Sequence, residues 1–175
     1  MKNLITLFLI TLFFAYDATA QTSIEAQAGG ANFMGITINS RFNIPLSRSK
    51  EHRLSPSFGI GMLAPGWDQQ PTVIINTGLT YNYKVWGIGA EVSGFAASPF
   101  AASSKPRDFV DMIVYPNLNY TLNIKPSFYL RFSAGSYFAF SKKIDPVTEV
   151  SKFQFEHDVI PGAGISVGYK FNNGH

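Results

Sequence analysis

Between Asn117 and Phe140 the sequence alternates in polarity with a period of two through two arms and a reversal, NLNYTLNIKPSFYLRFSAGSYFAF. Leu118, Tyr120, Leu122 and Ile124 fall on one side of the first arm, and Asn117, Asn119, Thr121 and Asn123 on the other. Lys125-Pro126-Ser127 turns the chain. Phe128, Leu130, Phe132, Ala134, Phe138 and Phe140 then oppose Tyr129, Arg131, Ser133, Gly135 and Tyr137. Successive side chains leave a strand on opposite faces, so the pattern is that of a β-hairpin. Each arm runs about 10 residues or more, beyond the roughly 5–6 of a globular strand and matching the 9–11 that cross a bilayer at a tilt. One face is aromatic and aliphatic, the other small or amide-bearing, which points to a membrane barrel.

The amino terminus is of another kind. Lys2 precedes an apolar run from Leu4 to Ala15, and Ala18-Thr19-Ala20 fits a small-x-small cleavage site. Residues 1–20 therefore read as a cleavable signal peptide, with 21–175 as one barrel domain. The apolar run is too short to span as a helix. With no cysteine in the chain, neither lipoprotein processing nor a disulfide is available. Losing Lys2 and Asp17 with the signal leaves the net charge at +3, too mild and too dispersed to argue for nucleic acid. Charged residues make up 14% of the chain and aromatics 15%, whereas a soluble surface usually carries about 25–35% charged positions. A chain short of charge and lacking a helical span satisfies its backbone in lipid only by closing a barrel.

The same alternation, followed along the whole chain, delimits the strands. They are Ser23 to Gly30, Met34 to Ile44, Leu54 to Met62, Val73 to Tyr83, Trp86 to Ser93, about Phe109 to Ile124, the second hairpin arm, and Gly162 to Phe171. Together they make an all-β, eight-stranded antiparallel up-and-down transmembrane barrel, the even count expected of single-chain outer-membrane barrels. Pro56 predicts a bulge or a late start in the third strand, because it cannot donate to a ladder. Links after strands four and six are short, and those at 64–71, 97–107 and 142–158 are long. Short periplasmic turns and long external loops put both termini in the periplasm. The last link has a second reading: alternation runs back through Phe155 and Phe153, so Lys152 to Phe171 could form one strand bent near Pro161, with an exposed edge.

A soluble calyx would show the same alternation with the faces reversed. An eight-stranded interior is too narrow for the many large apolar side chains, while Gly, Ser, Asn and Thr suit a narrow lumen, so the apolar face is read as outward. No Asp, Glu, Lys or Arg between strand ends should then face lipid. Tyr81, Tyr83, Trp86, Phe128, Tyr169 and Phe171 gather at the periplasmic strand ends, as an aromatic girdle at headgroup level would. The inward charges Glu25, Glu91 and Asp111 against Arg41, Arg131 and Lys170 are expected to plug the lumen. In that reading Glu25 pairs with Arg41 or Lys170, Glu91 pairs with Arg131, and Asp111 sits near the outer rim.

The signal, the eight alternating strands and the closing Gly-x-Ile-Ser-Val-Gly-Tyr-Lys-Phe resemble the small porin-like outer-membrane β-barrel family common in Bacteroidetes, similar in size to OmpA/OmpX-type barrels. The resemblance implies a Gram-negative outer membrane and insertion by the barrel-assembly machinery. Tyr169 and Phe171 match the closing aromatic signal, although Asn172 to His175 follow where the aromatic is usually terminal. The partners expected are outer-membrane lipid, that machinery, and an extracellular ligand at loops 97–107 and 142–158.

Some eight-stranded barrels modify lipid A, a chemistry that needs a nucleophile and a base. Of the three histidines, only His157, flanked by Glu156 and Asp158, is placed to act as a base near the outer leaflet. Consecutive residues on an extended chain diverge, so these three do not make a metal site. The expectation is a structural or surface-interaction barrel with no enzyme chemistry and no cofactor, against a narrow channel, a lipid A-modifying enzyme or the calyx.

Overall fold

The alternating segments form hydrogen-bonded strands throughout a computed structural model, which describes residues 21–63, 72–97, 110–144 and 151–171. The predicted signal segment, the loop at 64–71, nearly all of 97–107 and the tail after Phe171 lie outside the described residues. The strands are β1 (Gln21–Gly29), β2 (Gly35–Pro45), β3 (His52–Leu63), β4 (Thr72–Tyr83), β5 (Trp86–Ala97), β6 (Met112–Asn123), β7 (Phe128–Ile144) and β8 (Ser151–Lys170). They pair in sequence order, all antiparallel, and β1 meets β8 through seven residue pairs from Ser23↔Lys170 to Gly29↔Gly164. The result is a closed eight-stranded barrel.

The faces divide as the alternation requires. On β1, Ser23, Glu25 and Gln27 are buried while Ile24, Ala26 and Ala28 are exposed. Ile36 and Ile38 on β2, Phe58, Ile60 and Met62 on β3, and Ile88 on β5 likewise face outward. A one-residue slip would reverse every one of these positions, so the pattern fixes the register.

Pro56 causes neither a bulge nor a late start. It pairs with Leu79 of β4, and the β2–β3 offset is the same at Arg41↔Ser57 and Ile44↔Leu54, with the pairs between them missing. The absent N–H is thus turned toward β2 and costs that ladder locally. Pro116 repeats the device: it pairs with Ala90 of β5 while the β6–β7 ladder breaks between Val114↔Phe138 and Asn117↔Gly135.

Of the two readings of 142–158, a long connection or a continuation of the last strand, the structure shows the strand for its described residues. β7 has 17 residues and β8 has 20, and they pair out to Ile144↔Ser151. Pairing is continuous at Ser136↔Pro161. The irregularity lies between Phe138↔Val159 and Phe140↔Phe155, where Ala139 alone stands against 156–158. Two extra residues preserve the alternation, so Phe155 stays on the outer face against Phe138 and Phe140, with ring centroids 6.0 and 5.5 Å away.

The link after β1 is short because it folds inward. Gly30–Asn32 forms one 3-10 turn whose three residues are buried against β1, β2 and β4 to β8. Gly29 and Gly30 enter it at φ 71° and 60°, where a Cβ is disfavoured. Asn32 donates to Thr37 Oγ1 (2.8 Å) and accepts from Ser93 Oγ (3.1 Å), tying this turn to β5.

Close strand contacts leave no room for a Cβ at Gly61, where one would sit 2.6 Å from Thr37 Cα and also overlap the Ile36 carbonyl. Gly61→Val is expected to destabilise the barrel by about 1–3 kcal/mol through overpacking. Urea titration of the folded, heat-modifiable band on gels measures this, and an unchanged midpoint would contradict the contact.

Candidate functional site: a charge-paired lumen

Eight strands enclose an interior just wide enough for side chains to fill it, so groups on opposite walls meet. Glu25 of β1 is completely buried. Its carboxylate accepts from Tyr129 OH at 2.6 Å and from Arg131 Nη2 at 2.8 Å. Arg41 Nε lies 2.9 Å from Glu25 Oε1, but its N–H is angled away, so this contact is coulombic rather than a hydrogen bond. Glu91 of β5 accepts from Arg131 Nη1 (3.1 Å) and from Gln27 Nε2 (2.8 Å). Arg131 of β7 thus bridges two carboxylates borne by strands that are not its neighbours. It also donates to Asn119 Oδ1 at 2.8 Å and to Ser166 Oγ at 3.2 Å. Gln27 closes the circuit by accepting from Asn39 Nδ2 at 2.8 Å.

Two carboxylates and two guanidiniums leave this inner group neutral. That matters because an isolated buried charge costs several kcal/mol, which only pairing offsets.

Four of the six charges expected in a lumen plug therefore meet: Glu25, Arg41, Glu91 and Arg131. Lys170 and Asp111 do not join them. Lys170 is at the mouth where the short turns lie, donating to Asn123 Oδ1 (2.5 Å) with its ammonium 5.1 Å from the Tyr129 ring centroid. Asp111 precedes β6 at the opposite rim, where it accepts from the Lys142 backbone N–H at 2.6 Å. Alternation puts both on the inward side, but their height removes them from the centre.

The other half of the lumen is apolar, which the sequence reading missed. Leu63, Ile74, Phe95, Ile113, Tyr115 and Tyr137 pack together around Ala31 of the inward turn. Tyr115 and Tyr137 lie 5.2 Å apart, and Phe33 meets Tyr137 edge-on at 5.7 Å. The signal was present: Ile74, Ile113 and Tyr115 sit at inward parity, among residues dominated by Gly, Ser, Asn and Thr.

On the outer face the six girdle residues lie at the turn end, each about 40–60% exposed. Trp86 meets Tyr120 at 4.9 Å, Phe128 meets Tyr169 at 5.0 Å, and Tyr169 meets Phe171 at 5.4 Å. His52 joins the ring, with Nδ1 2.6 Å from Tyr81 OH. Among the described residues no group of three or more His, Cys, Asp or Glu is placed to hold a metal ion.

The molecule so defined is a closed antiparallel barrel with an apolar outer face and a side-chain-filled, charge-paired lumen. No protein-family model matches the sequence, and no curated protein matches it. Two solved structures are similar in fold. One is a major outer membrane protein from Thermus thermophilus, with 12% identity, a TM-score of 0.46, and coverage of 87% of this chain and 100% of that one. The other is the Yersinia pestis outer membrane protein Ail, with 9% identity, a TM-score of 0.43, and coverage of 87% and 99%.

Arg131→Met is expected to cost about 3–5 kcal/mol, because it leaves two buried carboxylates facing the single guanidinium of Arg41 and strands Glu91. The double change Glu91→Gln, Arg131→Met, which leaves Glu25 paired with Arg41, should recover much of that loss. Urea unfolding followed by tryptophan fluorescence tests both. Equal stability of Arg131→Met and the parent would show that the network is not a stabilising unit.

Proposed function

We propose that this chain is an integral protein of a Gram-negative outer membrane, with a structural or surface-interaction role and a lumen closed to solutes. One observation carries the reading: the barrel is apolar outside and charged inside. Ile88 and Leu118 are each 60% exposed while Glu25 and Glu91 are at most 1% exposed. Along the outward positions of the described strands between the turn end and Phe140 there is no Asp, Glu, Lys or Arg. Water would penalise such an exterior, whereas a bilayer core favours it. A calyx needs the opposite polarity. A channel needs an open lumen, and here ionic and apolar layers fill it in series.

The surface role rests on the β7–β8 projection. β1 ends opposite Gly164, so among the described residues β8 from Ser151 to Ala163 has β7 as its one ladder partner, interrupted at 156–158. This free edge offers ladder hydrogen bonds to an extended peptide strand of a partner. In the proposed orientation both termini are periplasmic, the edge and the regions 97–107 and 142–158 face outward, and the girdle contacts lipid headgroups. Tyr169 and Phe171 would present the closing strand to the barrel-assembly machinery.

Expressed with its signal, the protein should fractionate with the outer membrane and shift in gel mobility on heating. In planar bilayers it should show no stable unitary conductance. Recovery in the soluble fraction would refute the membrane reading, and discrete channel steps would refute the closed lumen. Leu79→Arg on the outer face should cost about 2–4 kcal/mol if that face meets hydrocarbon. Its stability in phospholipid vesicles, compared with the parent, measures this; no loss would place Leu79 in water.

A further inference from the structure

The short-turn end of the barrel opens into a funnel whose charges do not balance. Its lining includes Arg53 at the start of β3, Lys84 in the β4–β5 turn and Lys170 at the end of β8, with Asn82, Thr121 and Asn123 between them. The carboxylate lining it is Glu25, which Arg41 and Arg131 already engage. Lys84 has Glu51 3.7 Å away, an exposed pair. Arg53 and Lys170 have no carboxylate within ion-pair distance among the described residues. Arg53 spends one N–H on the Lys84 carbonyl (2.7 Å), and its Nε is buried with no partner. Lys170 has an amide oxygen and an aromatic face for company, and lies near enough to Arg53 for the two like charges to oppose one another.

Two cations held together over a neutral floor, with a buried N–H unsatisfied, form a receptor for negative charge. The cavity holds about 30 Å³, where a single water needs roughly 10–15 Å³, so it admits one small oxyanion group. We propose that this mouth binds a phosphate or carboxylate group of a soluble periplasmic molecule, clamped between Arg53 and Lys170. A soluble source fits better than a lipid headgroup because these residues sit inside the strand wall, on the opposite face from the girdle. The periplasmic source rests on the orientation proposed above, whereas the site itself does not, since a barrel in detergent presents the same mouth.

The test uses the full-length mature barrel refolded in zwitterionic micelles, with inorganic phosphate and acetate as probes at constant ionic strength. Saturable, single-site shifts of the Arg53, Asn123 and Lys170 amide resonances in two-dimensional NMR are expected with either probe. Arg53→Gln and Lys170→Gln should each weaken binding roughly tenfold, as loss of one charge-assisted hydrogen bond does. Lys125→Gln, in the exposed turn at the same end, removes the same charge and should leave affinity unchanged. Heat-modifiable gel mobility identifies any variant that fails to fold, and Lys170→Gln, at a half-exposed strand end, keeps the test decisive if Arg53→Gln is lost. Linear, unsaturated shifts, or equal weakening by Lys125→Gln, would overturn the site in favour of diffuse attraction. Displacement of phosphate by phosphatidylglycerol doped into the micelles would overturn the soluble-ligand assignment and give the mouth to lipid.

Discussion

The seven residue pairs that join β1 to β8 convert a twisted sheet into a wall without an edge from the turn end up to Gly29↔Gly164. Unpaired N–H and C=O groups along an open edge would each cost several kcal/mol in an apolar surrounding, and closure pairs them. Closure also makes the inside and outside of every strand mutually dependent. Once Glu25 faces the lumen, the register with β2 and β8 places Ala26 and Ile38 outside and Arg41 inside. The small bore of eight strands then brings Arg131 across to both Glu25 and Glu91. The ion network is a product of closure, since none of β1, β5 and β7 is hydrogen-bonded to another of the three.

The lumen is filled by two chemistries stacked along the axis. Near the turn end, the carboxylates and guanidiniums neutralise each other, and the amides of Gln27, Asn39 and Asn119 add further hydrogen bonds. Farther up, Ile74, Phe95, Tyr115 and Tyr137 exclude water as a soluble core does. The 3-10 turn from Gly30 to Asn32 seats between the two, with Asn32 bonded to the polar wall and Ala31 packed in the apolar cluster. Breaking the register by one residue would send Arg131 and Glu25 to the outer face together, so the polar layer specifies the pairing as well as stabilising it.

The rim is uneven for a related reason. β1 is only 9 residues long because its chain turns into the lumen, while β8 has 20. The difference leaves the upper part of β8 with β7 as its one partner among the described residues, and the bulge opposite Ala139 lets the two strands continue without changing which side their aromatics occupy. At the other end the walls are level, and the charges gather there: Arg53, Lys84 and Lys170 ring a mouth whose floor is already neutral.

Strand number, strand order and the facing of nearly every residue were legible in the sequence, because a period of two is a local property and survives any tertiary arrangement. The pairing of Glu91 with Arg131 could be read from parity and height alone. Three things could not. The alternation already offered the long β8 as one of two readings, but not that its irregularity lies at 156–158 rather than near Pro161, because two extra residues shift the ladder without leaving a polarity signal. The engagement of Glu25 by Arg131, and the exclusion of Lys170 and Asp111, turned on where each side chain falls along the axis of a closed, tilted barrel. The apolar cap and the inward turn at Gly30–Asn32 arose from residues of unrelated segments meeting across the lumen. The sequence by itself determined an alternating, charge-poor chain that must close; only the tertiary structure decided which side chains meet inside, because contact across a lumen depends on stagger and bore, which no single segment encodes.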